Sequence, residues 1–148
     1  MNIGKFVLNV VVAFIAYAVL YTVGGDVVFK DAMATMAPAM HPQEETFVQN
    51  LGYHFVQTIV VVWMFGKAVG SGDMKAGAMF GVMFGLYLTA TDSIWFVNMV
   101  SLSGDARLPL TIMHLVNGAI IGLLLAFMES KGWGASSAPT DASEAEEG

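Results

Sequence analysis

Six polar side chains stand out in a chain otherwise rich in apolar residues: Asp26, His54, Gln57, Asp92, His114 and Asn117. They fall into a pattern. Leu20-Tyr21 is followed by four residues and then Asp26, and Leu86-Tyr87 by four residues and then Asp92. His54-Phe55-Val56-Gln57 is echoed by His114-Leu115-Val116-Asn117. Carboxylate and imidazole together can tie helices by hydrogen bonds, pass a proton near neutral pH, or ligate a metal ion. No cysteine is present, and no serine arrangement or HExxH spacing marks a nucleophile or a zinc-activated water. No catalytic residue is therefore assigned, and the reading leans away from an enzyme. A second group is Met33, Met36, Met40 and His41. Thioethers with an imidazole suit Cu(I), so copper or another metal ion is a speculative ligand. The same spacing puts the methionines on one face of an interfacial helix resting on lipid, and that reading is favoured.

The elements that must position these groups follow from composition. Hydrophobic residues make up 56% of the 148 and charged residues 12%, about half the charge of a soluble domain. The natural solvent for such a chain is a lipid bilayer. Four of the twelve acids lie in the last eight residues, so the net charge of −6 belongs largely to the tail. Nothing resembles a basic nucleic-acid surface. Crossing the hydrocarbon core takes about 20 apolar residues as a helix. Phe6 to Gly25, Thr46 to Gly66 and Leu108 to Met128 contain no charged residue. A fourth run, Ala76 to Thr91, is interrupted by Asp92 and resumes through Val97. The first run is long and followed by no A-x-A site, so it is expected to be a retained helix and not a signal peptide.

The expected fold is thus all-α: a polytopic membrane protein with four transmembrane helices, at about 5–26, 46–67, 76–99 and 108–129. They form one domain, residues 1–131, arranged as two tandem helical hairpins. An offset of 66 relates Asp26 to Asp92, Met33 to Met99 and Phe14 to Phe80, which reads as a parallel internal repeat. Residues 132–148 are expected to form a disordered acidic tail. Pro42, with Glu44 and Glu45 after it, suits the first turn of a helix that starts before the bilayer does. Lys5, Lys67, Lys75 and Lys131 outnumber Lys30 and Arg107 across the chain's loops. Both termini are therefore expected on the cytoplasmic side of the membrane.

Helix rise sets the depth of the polar residues. Asp92 and His114 each lie about 25 Å from the lysine at the cytoplasmic end of their helix, and His54 about 20 Å. Asp26 falls near the outer surface. These groups, with Gln57 and Asn117 a turn deeper, should gather in the outer leaflet. Such a cluster could be structural, with Asp–His pairs joining the hairpins or Asp92 capping a short interfacial helix from Ser93. That structural reading is favoured; the alternative is a binding or proton-handling site. Gly77, Gly81 and Gly85, and separately Gly118 and Gly122, form small-residue stripes suited to glycine-zipper packing of the third span on the fourth, or to a dimer contact.

With these features in hand, the chain resembles small bacterial four-helix integral membrane proteins catalogued only as domains of unknown function. The resemblance covers about residues 5 to 128. It is carried by Asp26 ending the first helix, Gly81-Val82-Met83-Phe84-Gly85-Leu86, and Ala90-Thr91-Asp92 before a short loop to the last helix. It implies a compact inner-membrane bundle and brings no catalytic residues with it. The expected function is a non-enzymatic accessory or scaffolding subunit, packing in the bilayer against other membrane subunits or a second copy. The alternative is binding or transport of a metal ion, proton or small solute through the outer-leaflet Asp/His cluster.

Overall fold

The computed structural model describes residues 2–136, and these are helical throughout apart from short turns. Helix α1 spans Ile3–Val23; the Asn2 side chain caps it, accepting from the Lys5 N–H at 3.1 Å. At Gly24–Val28 it widens into a π-turn, closed by the Phe29 N–H donating to the Gly24 carbonyl at 2.8 Å. The chain passes Met113 closely at this point: a Cβ on Gly24 would lie 2.9 Å from Cε of Met113, so that thioether end would have to shift. A short α2, Lys30–Ala34, and a 3-10 turn, Ala37–Ala39, carry the chain across that end of the bundle.

Helix α3 runs Gln43–Ala68, with Pro42 in the capping position and Glu44 and Glu45 in the first turn. Helix α4, Met74–Asn98, is started by Asp73, whose carboxylate accepts from the Lys75 and Ala76 N–H groups at 2.8 and 3.1 Å. After a 3-10 turn, Gly104–Ala106, helix α5 spans Arg107–Ser130. Pro109 falls in its first turn, where no backbone N–H is needed.

Among the described residues, three segments are long and apolar enough to cross a membrane: Ile3–Val28, Met74–Asn98 and Gly104–Ser130. Helix α3, at 26 residues, has the length but is not among them. Gln49, Asn50, His54 and Gln57 dilute its apolar content, and the strongly apolar run is confined to Ile59–Phe65.

The packing is uneven. Helices α4 and α5 lie almost in backbone contact. A Cβ added at Gly77 would stand 2.6 Å from the Gly122 carbonyl oxygen, and Cβ atoms at Gly81, Gly85, Gly118 and Gly122 would overlap backbone carbonyls of the facing helix. The core lies toward the other faces of α5, where Val10 and Ala13 of α1 and Val61, Val62 and Phe65 of α3 meet Ile121, Leu125 and Ala126. Edge-to-face rings add to it: Phe14 on Phe55 at 5.3 Å and Phe65 on Phe80 at 5.4 Å.

Three sequence expectations change. Helix α4 continues through Asp92 to Asn98, so Asp92 caps no separate helix from Ser93. Met33, Met36 and Met40 do not share one helix face, because α2 ends at Ala34 and Met40 follows the 3-10 turn in extended backbone. The tail begins as packed chain: the Asn9 amide donates to the Trp133 carbonyl at 2.7 Å, the Asn2 N–H to that of Ala135 at 3.2 Å, and Ala135 is buried. Residues 137–148 of the expected tail lie outside the described residues.

Candidate functional site

The wide gap between α3 and the tight α4–α5 pair leaves a cavity of about 260 Å³. Its walls are apolar and aromatic, with Phe14, Tyr17, Leu51, Val61, Phe84 and Leu88 prominent. Its polar groups are Tyr21, His54, Gln57, Thr58, Asp92 and His114. The volume sits at the lower edge of the roughly 300–1,000 Å³ usual for small-molecule sites.

One hydrogen-bonded chain runs through this wall. Asp92 Oδ2 lies 2.7 Å from His114 Nε2, and the Tyr21 hydroxyl lies 2.5 Å from His114 Nδ1. Three helices contribute: α1 brings Tyr21, α4 Asp92 and α5 His114. The local reasons are visible. Gly85 lets α4 approach the backbone at His114, and Asp92 stands two turns further along the same helix. The π-turn after Tyr21 lets α1 pass Met113 closely.

The proton positions follow from donor and acceptor chemistry. An ionised carboxylate only accepts, so His114 Nε2 carries a proton toward Asp92. The phenol can then donate to Nδ1, which leaves the imidazole neutral and all three groups satisfied. The His114 side chain is 8% exposed and that of Asp92 is 43% exposed. The buried ring therefore acts as an anchor, and the carboxylate is the part that faces open space. On α3, His54 Nδ1 lies 3.0 Å from Gln57 Oε1, and Thr58 donates to the His54 carbonyl at 2.8 Å.

Of the six polar residues singled out in the sequence, His54, Gln57, Asp92 and His114 line this one cavity. Asp26 does not: it sits exposed in the π-turn. Asn117 is buried on α5 outside the cavity lining, and its Nδ2 has no hydrogen-bond partner among the described residues. The repeat-related positions differ in role, since among the described residues one Asp–His pair forms, Asp92 with His114. Tyr87, which matches Tyr21 in the repeat, is exposed and lies against Phe84 at 6.0 Å.

Tyr21 and Tyr17 are the functional candidates that residue-type reasoning passed over. An aromatic residue near a span end reads first as an interfacial anchor. The signal that could have found Tyr21 is its place in the Leu-Tyr-x4-Asp pattern. Among the described residues no three His, Asp or Glu side chains converge as a metal-binding set. The methionines of the segment between α1 and α3 are spread over separate turns, with Met40 and His41 exposed and Met33 and Met36 half-buried. No protein-family model, curated protein or solved structure matches the chain.

Proposed function

We propose that this chain is a small four-span membrane protein that binds a small solute in the cavity between α1, α3, α4 and α5, with Asp92–His114–Tyr21 as the polar anchor. The observation that carries the reading is a buried, fully hydrogen-bonded imidazole holding a part-exposed carboxylate at the wall of a largely apolar cavity. Polar groups at membrane depth are costly, and a set kept around a void has more to do than join helices. A purely structural Asp–His tie would be served as well by a closed interface.

Four spans are supported by the way the helix ends meet. Residues Asn2 and Ala135 bond to each other, and Gly72 lies against Ser130. The start of α1, the α3–α4 loop and the end of α5 thus share one end of the bundle. Helix α3 lies beside α1, with Phe14 on Phe55 and Val10 and Ala13 packed in one cluster with Val61, Val62 and Phe65, so if α1, α4 and α5 cross the bilayer, α3 is expected to cross with them. Three crossings would put Asn2 and Ala135 on opposite sides. Lys5, Lys67, Lys75 and Lys131 lie at the shared end, which supports a cytoplasmic assignment for it and an inner-membrane location.

An accessory role has one observation of its own: α3 turns Phe47, Tyr53 and Trp63 outward, about half or more exposed. In a bilayer, lipid covers such a face equally well, so this reading stands second. The test of the first is ligand-dependent thermal stabilisation of the purified chain against a panel of small solutes. Ala18→Phe, which fills the cavity, should abolish any such shift. A panel that stabilises wild type and Ala18→Phe alike would remove the cavity from the argument.

A further inference from the structure

The cavity's charge and hydrogen-bonding sense indicate which solute it takes, given that the cavity is a binding site at all. Among the described lining residues there is no lysine or arginine. The Tyr21 hydroxyl occupies His114 Nδ1, so His114 offsets none of the Asp92 charge. An imidazolium would instead donate from both nitrogens, and the phenolic proton would then need an acceptor that the described residues do not supply. Asp92 engages His114 through Oδ2, and Oδ1 has no protein partner among the described residues.

The opposite wall has the same sense. Gln57 Oε1 can only accept, so His54 donates to it from Nδ1 and presents Nε2 as an acceptor. Both polar walls therefore offer acceptors, and one carries a full negative charge. Around them stand the rings of Phe14, Tyr17, Tyr21 and Phe84, and an aromatic ring attracts a cation to its face. A bare or hydrated metal ion would find one carboxylate and no converging third ligand. An anion would face the Asp92 carboxylate, with the Gln57 Nε2 amide as the uncommitted donor among the described lining residues.

We propose that the cavity recognises a small lipophilic ammonium ion: one N–H-bearing cationic nitrogen between Asp92 Oδ1 and His54 Nε2, and an apolar or aromatic body against the rings. No covalent step is involved.

The test uses the full chain in mild detergent and three probes of similar size: 2-phenylethylammonium, neutral 2-phenylethanol and the anion 3-phenylpropanoate. Binding is measured by equilibrium dialysis, and Ala18→Phe reports partition into micelles. The ammonium probe should bind at least about tenfold more tightly than the alcohol, a difference of about 1.4 kcal/mol. Asp92→Asn should erase that preference. The ordering of the three probes on wild-type protein decides the matter even if Asp92→Asn fails to fold. Binding of the alcohol as tight as that of the ammonium ion, or a preference for the anion, overturns the cation assignment and leaves a solute-binding cavity. Absence of any binding that Ala18→Phe removes overturns the cavity reading as well.

Discussion

Between Tyr21 and Asp92 the His114 ring has one arrangement of protons that satisfies all three groups, and each neighbour can be removed separately. Tyr21→Phe deletes the hydroxyl and leaves a buried Nδ1 without a donor. In water-soluble proteins an unmet buried acceptor costs about 1–3 kcal/mol. In membrane helices the measured interhelical bonds average about 0.6 kcal/mol, with a maximum near 1.7. The membrane figure governs here, so Tyr21→Phe should lower stability by about 0.5–1.7 kcal/mol, read by reversible unfolding in mixed micelles. Asp92→Ala leaves the Nε2–H of the same buried ring unpaired and also removes the cavity's fixed charge. It should cost a similar amount of stability but lose ammonium binding altogether, whereas Tyr21→Phe should keep most of that binding. Equal loss of binding in both variants would mean that the phenol touches the ligand directly. At this scale the sequence was partly legible. Asp92 and His114 were placed at one depth by counting residues from the lysines at their helix ends, and they do meet. Asp26 was not separable from them by counting, because the π-turn at Gly24–Val28 takes it out of the helix before it can face inward. Tyr21 stayed hidden because a tyrosine at a span end has an ordinary interfacial explanation.

The helix pair α4–α5 depends on the absence of side chains at the facing glycines. At Gly81 a Cβ would overlap the Gly118 backbone carbonyl, and backbone cannot swing aside as the end of a long side chain can. Gly81→Ala should therefore push the helices apart and cost about 1–3 kcal/mol, as overpacking does, and Gly81→Leu should prevent folding. Gly52 and Gly66, both within α3, meet nothing within 4 Å. Gly52→Ala and Gly66→Ala should be neutral or stabilising by about 0.5–1 kcal/mol, since alanine is the better helix former. Thermal melts of the three alanine variants measure the contrast directly, and a Gly81→Ala protein as stable as Gly52→Ala would show that α4 and α5 do not approach as described. The glycine stripes could be read in the sequence because their four-residue spacing lines one helix face. What the spacing does not specify is the counterpart, since the same stripe serves a neighbouring helix or a second copy. Helix α3 was read as a span from its length and lack of charge. Its polar residues weaken that signal, and two of them, His54 and Gln57, line the cavity.

For the whole molecule, the contacts between Asn2 and Ala135 and between Gly72 and Ser130 constrain the topology more tightly than hydropathy does. They gather the two described termini and the α3–α4 loop at one end, which an even number of crossings satisfies and an odd number does not. The chain has no native cysteine, so single-cysteine variants report position without background. Ser71→Cys lies in the α3–α4 loop, Ser101→Cys between α4 and α5, and His41→Cys before α3. With a membrane-impermeant maleimide on intact spheroplasts, His41→Cys and Ser101→Cys should label at once. Ser71→Cys should label only after permeabilisation. If Ser71→Cys labelled together with His41→Cys from outside, α3 would not cross. The start of the first helix and the end of the last would then lie on opposite faces, and the bond from Asn2 to Ala135 could not form in the membrane. The cavity would lose its α3 wall as well, because His54 and Gln57 would no longer stand opposite Asp92. The labelling pattern thus tests the proposed topology and the proposed site together, because both need α3 to stand opposite the α4–α5 pair.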